Sequence, residues 1–398
     1  MRVVVTGLGS VSSLGKNTEE FWSRLIAGEI GIKSSIERKF IDAGLSEGGF
    51  INQIDSLSIE EKELDRTIQL GLVAAREAVK DSGLELKKES PFRVGVSVGT
   101  SIGGYVEMEE HLRCQKDGKS EDSNRMKQIP PAVIAGFISK QFGTRGPQST
   151  TVTACAAGAN SLTNALDFIR EGHCDVVIAG GSDPLSFMSQ TGFHSMKVLS
   201  KDYCRPFNKN KTGILIGESA AFLILESLEH AKKRNAKIYA EFKGYGLSND
   251  AYHATSPNPN GEGAIRCINR ALEDSKIDVS EIDYVNAHGT GTKMNDSSEL
   301  NAIGTVFKEK GDKLPVITSI KGAVGHTLGT AGSIEALATV LAIYHKLIPP
   351  TALLKESMDE QYNFVPDTAL KKDIRNALSN SFAFGGNTAA LIFGRYEE

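Results

Sequence analysis

The 398-residue sequence is short of the features that mark several protein classes. It has only five cysteines, at positions 114, 155, 174, 204 and 267, with no CxxC pair and no cysteine/histidine cluster. That excludes a disulfide framework and a zinc module, and it fits a reducing, cytoplasmic setting. Net charge is only −4, so no basic field exists to hold nucleic acid. No apolar run is long enough to span a bilayer; the most apolar stretch lies near Ile334–Tyr344. Met1-Arg2 runs straight into Val3-Val4-Val5, so no leader peptide is expected. There is one tryptophan and there are 12 prolines, but 40 glycines, many of them clustered, which implies tight turns and close backbone approaches.

Apolar strands ending in glycine-rich turns alternate with helical patterns throughout. Strands are expected at 2–7, 92–98, 150–153, 174–181, 213–226, 237–244, 282–287, 316–320, 377–382 and 389–393. Helices are expected at 19–27, 59–82, 132–143, 156–172, 264–275 and 332–346. Residues 28–55 and 114–127 read as surface loops, and the polar stretch 247–261 as the boundary between halves 1–246 and 247–398. Such alternation predicts an α/β fold with helix-covered, mostly parallel sheets, and the similar pattern of both halves predicts a duplication. GLGSVSSLG after the first strand is a weak match to a dinucleotide fingerprint and is read as a structural turn.

The informative stretch is Thr151–Gly172, TVTACAAGANSLTNALDFIREG. A β-branched run passes through small residues into a helix, with Cys155 at the junction. An isolated cysteine is most often mere packing. At a helix start, however, free N–H groups and the helix dipole are expected to lower the thiol pKa and favour thiolate. Two further strand ends carry reactive groups among glycines: His288, and the pair Lys321 and His326. A cysteine nucleophile with neutral histidines facing a carbonyl suits acyl transfer through a thioester.

TACAAG around Cys155, VNAHGTGT around His288, KGAVGHTLGTAG around Lys321 and His326, and SFAFGGNTAALIF near the end resemble the β-ketoacyl-[acyl-carrier-protein] synthases of the thiolase superfamily. VVVTGLGSVSSLG and KIYAEFKGYGLSNDAYHATSP match as well, so the resemblance runs from Arg2 to Phe393. It is most similar to the elongating, synthase II type. The initiating type uses a Cys–His–Asn set, which the second histidine and the lysine here do not match.

The resemblance implies a thiolase-like five-layered α/β/α/β/α fold with two similar halves. The implied reaction is decarboxylative Claisen condensation of malonyl-carrier protein with an acyl group on Cys155, in fatty acid elongation. It implies that His288 and His326 bind the malonyl thioester carbonyl, and that Lys321 sets the electrostatics against Glu299 and Glu335. By the same resemblance, backbone N–H groups of Cys155 and Phe384 form an oxyanion hole. Phe384 gates the site with Phe382 nearby, Thr290 and Thr292 hold the pantetheine arm, and Ile102 sets acyl-pocket depth near a dimer interface. No metal or dissociable cofactor is implied, since the phosphopantetheine arm arrives on the carrier protein. The implied partners are an acidic acyl-carrier protein, met by basic residues such as Lys62, Arg125, Lys127 and Lys197, and a second copy in a homodimer.

Some positions depart from the family pattern: Lys293 stands where proline usually follows HGTGT, Asn387-Thr388 are exchanged, and Gly217–Ala221 is less glycine-rich. These leave open a ketosynthase of a specialised polyene or polyketide pathway, paired with a paralogous chain-length subunit. A thiolase would need a late second cysteine, and the last here is Cys267. A catalytically dead partner subunit would lack Cys155.

Overall fold

The computed structural model describes residues 1–32, 48–51, 54, 56–119, 123–310 and 314–398. Most of the expected loop at 28–55 lies outside the described residues. The first half runs β1 (Val3–Ser12), α1 (Thr18–Ile26), α2 (Arg66–Ser82), β2 (Val94–Gly99), α3 (Tyr105–Lys116), α4 (Val133–Phe142), β3 (Gln148–Thr151), α5 (Ala157–Arg170), β4 (Val176–Asp183), α6 (Phe187–Ser195) and β5 (Ser219–Ser227). The second runs β6 (Ala240–Asn249), α7 (Glu262–Ser275), β7 (Ile282–Asn286), α8 (Lys293–Lys310), β8 (Val316–Thr318), α9 (Ala331–His345), β9 (Asn376–Phe382) and β10 (Asn387–Gly394).

The duplication is visible in the strand order. The first half is ordered β1-β5-β4-β2-β3 and the second β6-β10-β9-β7-β8, with residues 363–364 added at the second edge. Directions match position by position: the first two pairings of each half are antiparallel and the next two parallel. The halves join where Val3–Val5 of β1 pair antiparallel with Ala240–Phe242 of β6, giving one 11-stranded sheet. By this order β6 belongs whole to the second half, so the expected boundary at 246/247 cuts through a strand. The polar loop follows β6 rather than preceding it.

Helices complete five layers. α2 packs on β1, β4 and β5, and α7 on β6 and β10, each on an outer face. α5 and α9 lie between the two half-sheets: α5 packs on β2 and β4, α9 on β5 and β9, and the two helices touch each other. α9 is buried from Ala331 to Ile343 on every side, as its unbroken apolar composition requires. The two central helices cross at glycines. A Cβ on Gly158 would lie 2.7 Å from Gly329 O, and one on Gly332 only 2.5 Å from Ala159 N. This close crossing sets the start of α5, and so Cys155, against the loop that carries His326.

Several expectations shift. The helix expected from residue 59 begins only after Asp65, whose carboxylate accepts the Thr67 N–H at 2.8 Å as a cap. Residues 114–127, expected as loop, contain the end of α3 and a short helix at Ser123–Met126. The strand expected from 213 starts at Ser219. Ahead of it, the chain threads past the His326 loop: His326 N–H donates to Leu215 O at 2.7 Å, and Gly217 N–H to His326 O at 3.0 Å.

Candidate active site

Cys155 sits on a single turn, Ala154–Ala156, between β3 and α5. Ala154 holds φ +47°, a left-handed conformation that a non-glycine residue adopts only under constraint. The sharp turn leaves the thiol at the head of α5, facing a pocket of about 400 Å³. His288, His326, Thr290, Thr292, Phe382 and Phe384 line the same pocket. Seven residues singled out from four separate sequence segments therefore converge on one cavity.

Behind the pocket lies a buried charged layer. The Lys321 ammonium is bonded to the Glu335 carboxylate. It also donates to His288 O at 2.5 Å and lies 3.1 Å from His288 Nδ1. An ammonium has only donors, so Nδ1 of His288 must be the acceptor and its proton must reside on Nε2. His326 reaches the same tautomer by another route, because Leu328 N–H donates to its Nδ1 at 3.1 Å. The two rings stand edge to face, 5.4 Å between centres. Burial and the Lys321 charge hold both imidazoles neutral: His326 is pushed down to about 3, and His288 well below its ordinary value. Two neutral, fixed N–H donors can bond to an oxygen that gains negative charge.

The glutamates organise this layer. Glu299 accepts the N–H groups of His288 and Gly289, both at 2.8 Å, which fixes the turn at the end of β7. Burial raises Glu299 and Glu335 to about 7, opposed in Glu335 by Lys321 and in Glu299 chiefly by the hydrogen bonds it accepts. Asp296 does the corresponding work one turn on, accepting the N–H groups of Thr290, Gly291 and Phe207. It went unrecognised in the sequence, although an acid six residues past a glycine-rich turn is a signal. Thr290 and Thr292 hydroxyls pair at 2.9 Å on the wall.

One expectation is overturned. The thiol of Cys155 is not poised as thiolate. Burial pushes it up to about 12, against the Lys321 charge and the N–H groups of Cys155 and Phe384, which face the sulfur. Full desolvation outweighs the helix start. The same two N–H groups are placed to bond an oxyanion formed on a carbon attached to that sulfur.

Ile102 does not line the pocket. It is buried in an apolar cluster with Leu185, Ile214, Ile216 and Leu328, against which the pocket residues Phe193 and Val198 pack. Phe193 also stacks on Phe384, 5.7 Å between ring centres. Of the basic residues named above, Arg125 is tied by both guanidinium ends to Glu107, at 2.7 and 2.9 Å. Lys197 lies on the pocket rim.

The family models of the beta-ketoacyl synthase N-terminal and C-terminal domains match residues 1–231 and 239–355. Among curated proteins, 3-oxoacyl-[acyl-carrier-protein] synthase 2 of Staphylococcus aureus is 37% identical over 100% of this chain and 99% of its own length. A putative mitochondrial 3-oxoacyl-[acyl-carrier-protein] synthase of Schizosaccharomyces pombe is 38% identical over 99% of each. Among solved structures, the ishigamide ketosynthase/chain length factor aligns with a TM-score of 0.93 and 36% identity, covering 100% of this chain and 99% of that one. A beta-ketoacyl synthase from Burkholderia phymatum aligns with a TM-score of 0.90 and 31% identity, covering all of both chains.

Proposed function

The chain belongs to the beta-ketoacyl synthase family, and from that premise we propose the following reading of its site. The protein is an acyltransferase that performs decarboxylative Claisen condensation, lengthening an acyl chain in fatty acid synthesis. Cys155 attacks the acyl thioester of a carrier protein; the carrier's pantetheine thiol leaves with the proton that the Cys155 thiol gives up. Malonyl-carrier protein then binds with its thioester oxygen against Nε2–H of His288 and His326. Loss of CO2 leaves the bond electrons as an enolate on that oxygen. The enolate carbon attacks the acyl carbonyl, whose oxygen is met by the N–H groups of Cys155 and Phe384. Collapse expels the Cys155 sulfur as thiolate, which takes a proton from water to restore the thiol, and yields 3-oxoacyl-carrier protein.

The observation that carries this reading is the convergence of Cys155 with two histidines locked as neutral Nε2–H donors. A buried thiol suits a stored thioester, which is uncharged. Thr290 and Thr292 are assigned to the pantetheine arm and Phe384 and Phe382 to the gate; Ile102 bears on pocket depth only indirectly, through the cluster on which the lining residue Phe193 packs. A cytoplasmic homodimer is part of the proposal. The dimer is supported by the half-buried edge strand β3 and the exposed Val152 directly after it; among the described residues no helix is long and apolar enough to cross a membrane. The similarity to a ketosynthase/chain length factor keeps a second reading, a polyketide ketosynthase with a paralogous partner.

The histidine assignment separates the two half-reactions. His288→Ala and His326→Ala should still load an acyl group on Cys155 within about tenfold of wild type, but release CO2 from malonyl-carrier protein about 10²–10³-fold more slowly. Neutral imidazoles cannot be charged further by mild acid, so this release should not collapse between pH 8 and pH 6. Equal loss of loading and CO2 release would remove the assignment. Both are read by stopped-time mass spectrometry and trapped CO2.

A further inference from the structure

Asp183, the last residue of β4, is fully buried, and four donors meet its carboxylate. Three come from the turn after β2: the Thr100 hydroxyl, the Ser101 N–H at 2.8 Å and the Ile102 N–H at 3.3 Å. The fourth is the Gly329 N–H at 2.6 Å, from the loop that carries His326. The Thr100 oxygen itself accepts the Gly103 N–H at 3.0 Å, which leaves its own proton for Asp183. Four donors on two oxygens call for the carboxylate form. Burial raises Asp183 to about 6 against the pull of these donors, so it is mostly ionised near neutral pH.

This anion sits next to the groups that fix His326. Leu328 donates its N–H to His326 Nδ1 while holding φ +53°, a left-handed conformation that a residue with a Cβ keeps only under constraint. The next N–H in the chain is the one Asp183 holds, and that bond pins the turn Leu328–Thr330. The approach leaves no space for a side chain: a Cβ on Gly329 would lie 2.4 Å from Ser101 N and 2.6 Å from Asp183 Oδ2. Leu328 and Ile102, both next to groups that Asp183 holds, share the apolar cluster against which Phe193 and Val198 pack. Asp183 itself does not line the pocket.

Resting on the assignment of His326 to decarboxylation, we infer that Asp183 is a positioning residue for that step. It holds Gly329, which orders Leu328, whose N–H keeps the His326 proton on Nε2. The same carboxylate holds the Thr100–Ile102 turn, so the apolar wall behind the pocket and the His326 donor share one buried anchor.

The test is a double-mutant cycle on the full chain, with acyl loading of Cys155 and CO2 release from malonyl-carrier protein measured separately. Asp183→Ala should slow CO2 release about 10–100-fold through kcat, with KM within about threefold and loading within about fivefold of wild type. In the His326→Ala background it should cost less than about threefold more, because the donor it positions is gone. Asp183→Ser enters the same cycle if Asp183→Ala does not fold. Asp183→Asn can keep its carbonyl oxygen on Ser101 and Gly329 while its amide donates to Thr100, so CO2 release should return to within about fivefold of wild type. A defect in Asp183→Asn as large as in Asp183→Ala would assign the effect to charge and overturn the inference. Equal slowing of loading and CO2 release, or the full loss repeated without His326, would also overturn it while leaving the ketosynthase reading intact. CO2 release at the wild-type rate in His326→Ala alone would sink the histidine assignment and this inference with it.

Discussion

Cys155→Ala should fail to form any acyl-enzyme and should lower condensation by about four orders of magnitude or more. No other thiol lines the pocket among the described residues. The histidine nitrogens that face inward carry protons, and the remaining cysteines stand elsewhere. Cys174, Cys204 and Cys267 are buried outside the pocket lining, and burial raises each of them as well. The variant should fold. Removing one sulfur from a site walled by small residues costs about 1–2 kcal/mol. Intact-protein mass after exposure to acyl-carrier protein, with a thermal melt beside it, checks both halves. An undiminished adduct in a folded variant would place the nucleophile elsewhere.

Lys321→Met should be the most damaging change to stability in the site, by about 3–5 kcal/mol near neutral pH. Lysine and methionine are similar in volume, so the loss comes from charge rather than from a cavity. Glu335 would be left buried beside Glu299 with nothing to offset its desolvation. Its other oxygen has no hydrogen-bond partner. The pH dependence has a definite sign. A carboxyl whose folded pKa lies above its unfolded value binds more protons when folded, so its contribution is lost as pH rises. Wild-type Glu335 already stands at about 7, so the deficit relative to wild type should widen from about pH 7 to pH 9, by about 1–2 kcal/mol. Adding Glu335→Gln should recover more than half of it. A deficit that stays constant with pH in chemical denaturation would refute the account of this pair. Condensation should fall too, because His288 Nδ1 would lose the donor that fixes its tautomer.

The residues proposed to perform chemistry were legible because each stands just past a strand, among small residues. Cys155, His288, Lys321 and His326 are all of this kind, and the topology brings such strand ends together. What the sequence hid was hidden for physical reasons. The thiol's pKa is set by its complete burial in the folded chain, which local sequence does not show, and burial outweighs the helix start. α3 escaped notice because Glu107 is its only fully buried residue, leaving no apolar period to read. α8 was missed although Thr292 caps it, its hydroxyl accepting the Asn295 N–H at 3.4 Å, because polar residues interrupt its apolar period. The run 213–218 has strand composition, yet a Cβ on Gly217 would come within 2.2 Å of Val324 O. That closeness makes it a brace for His326 instead of a continuation of β5.

The most direct test is the intact mass of the wild-type protein after incubation with acyl-carrier proteins, followed by malonyl-carrier protein. The account requires a single acyl adduct, mapped to Cys155, that malonyl-carrier protein discharges as the 3-oxoacyl product two carbons longer. Discharge of saturated medium to long chains fits fatty acid elongation, whereas a preference for unsaturated or aryl chains favours the polyketide reading. An adduct on another residue, or one on Cys155 that malonyl-carrier protein leaves in place, would contradict the central claim.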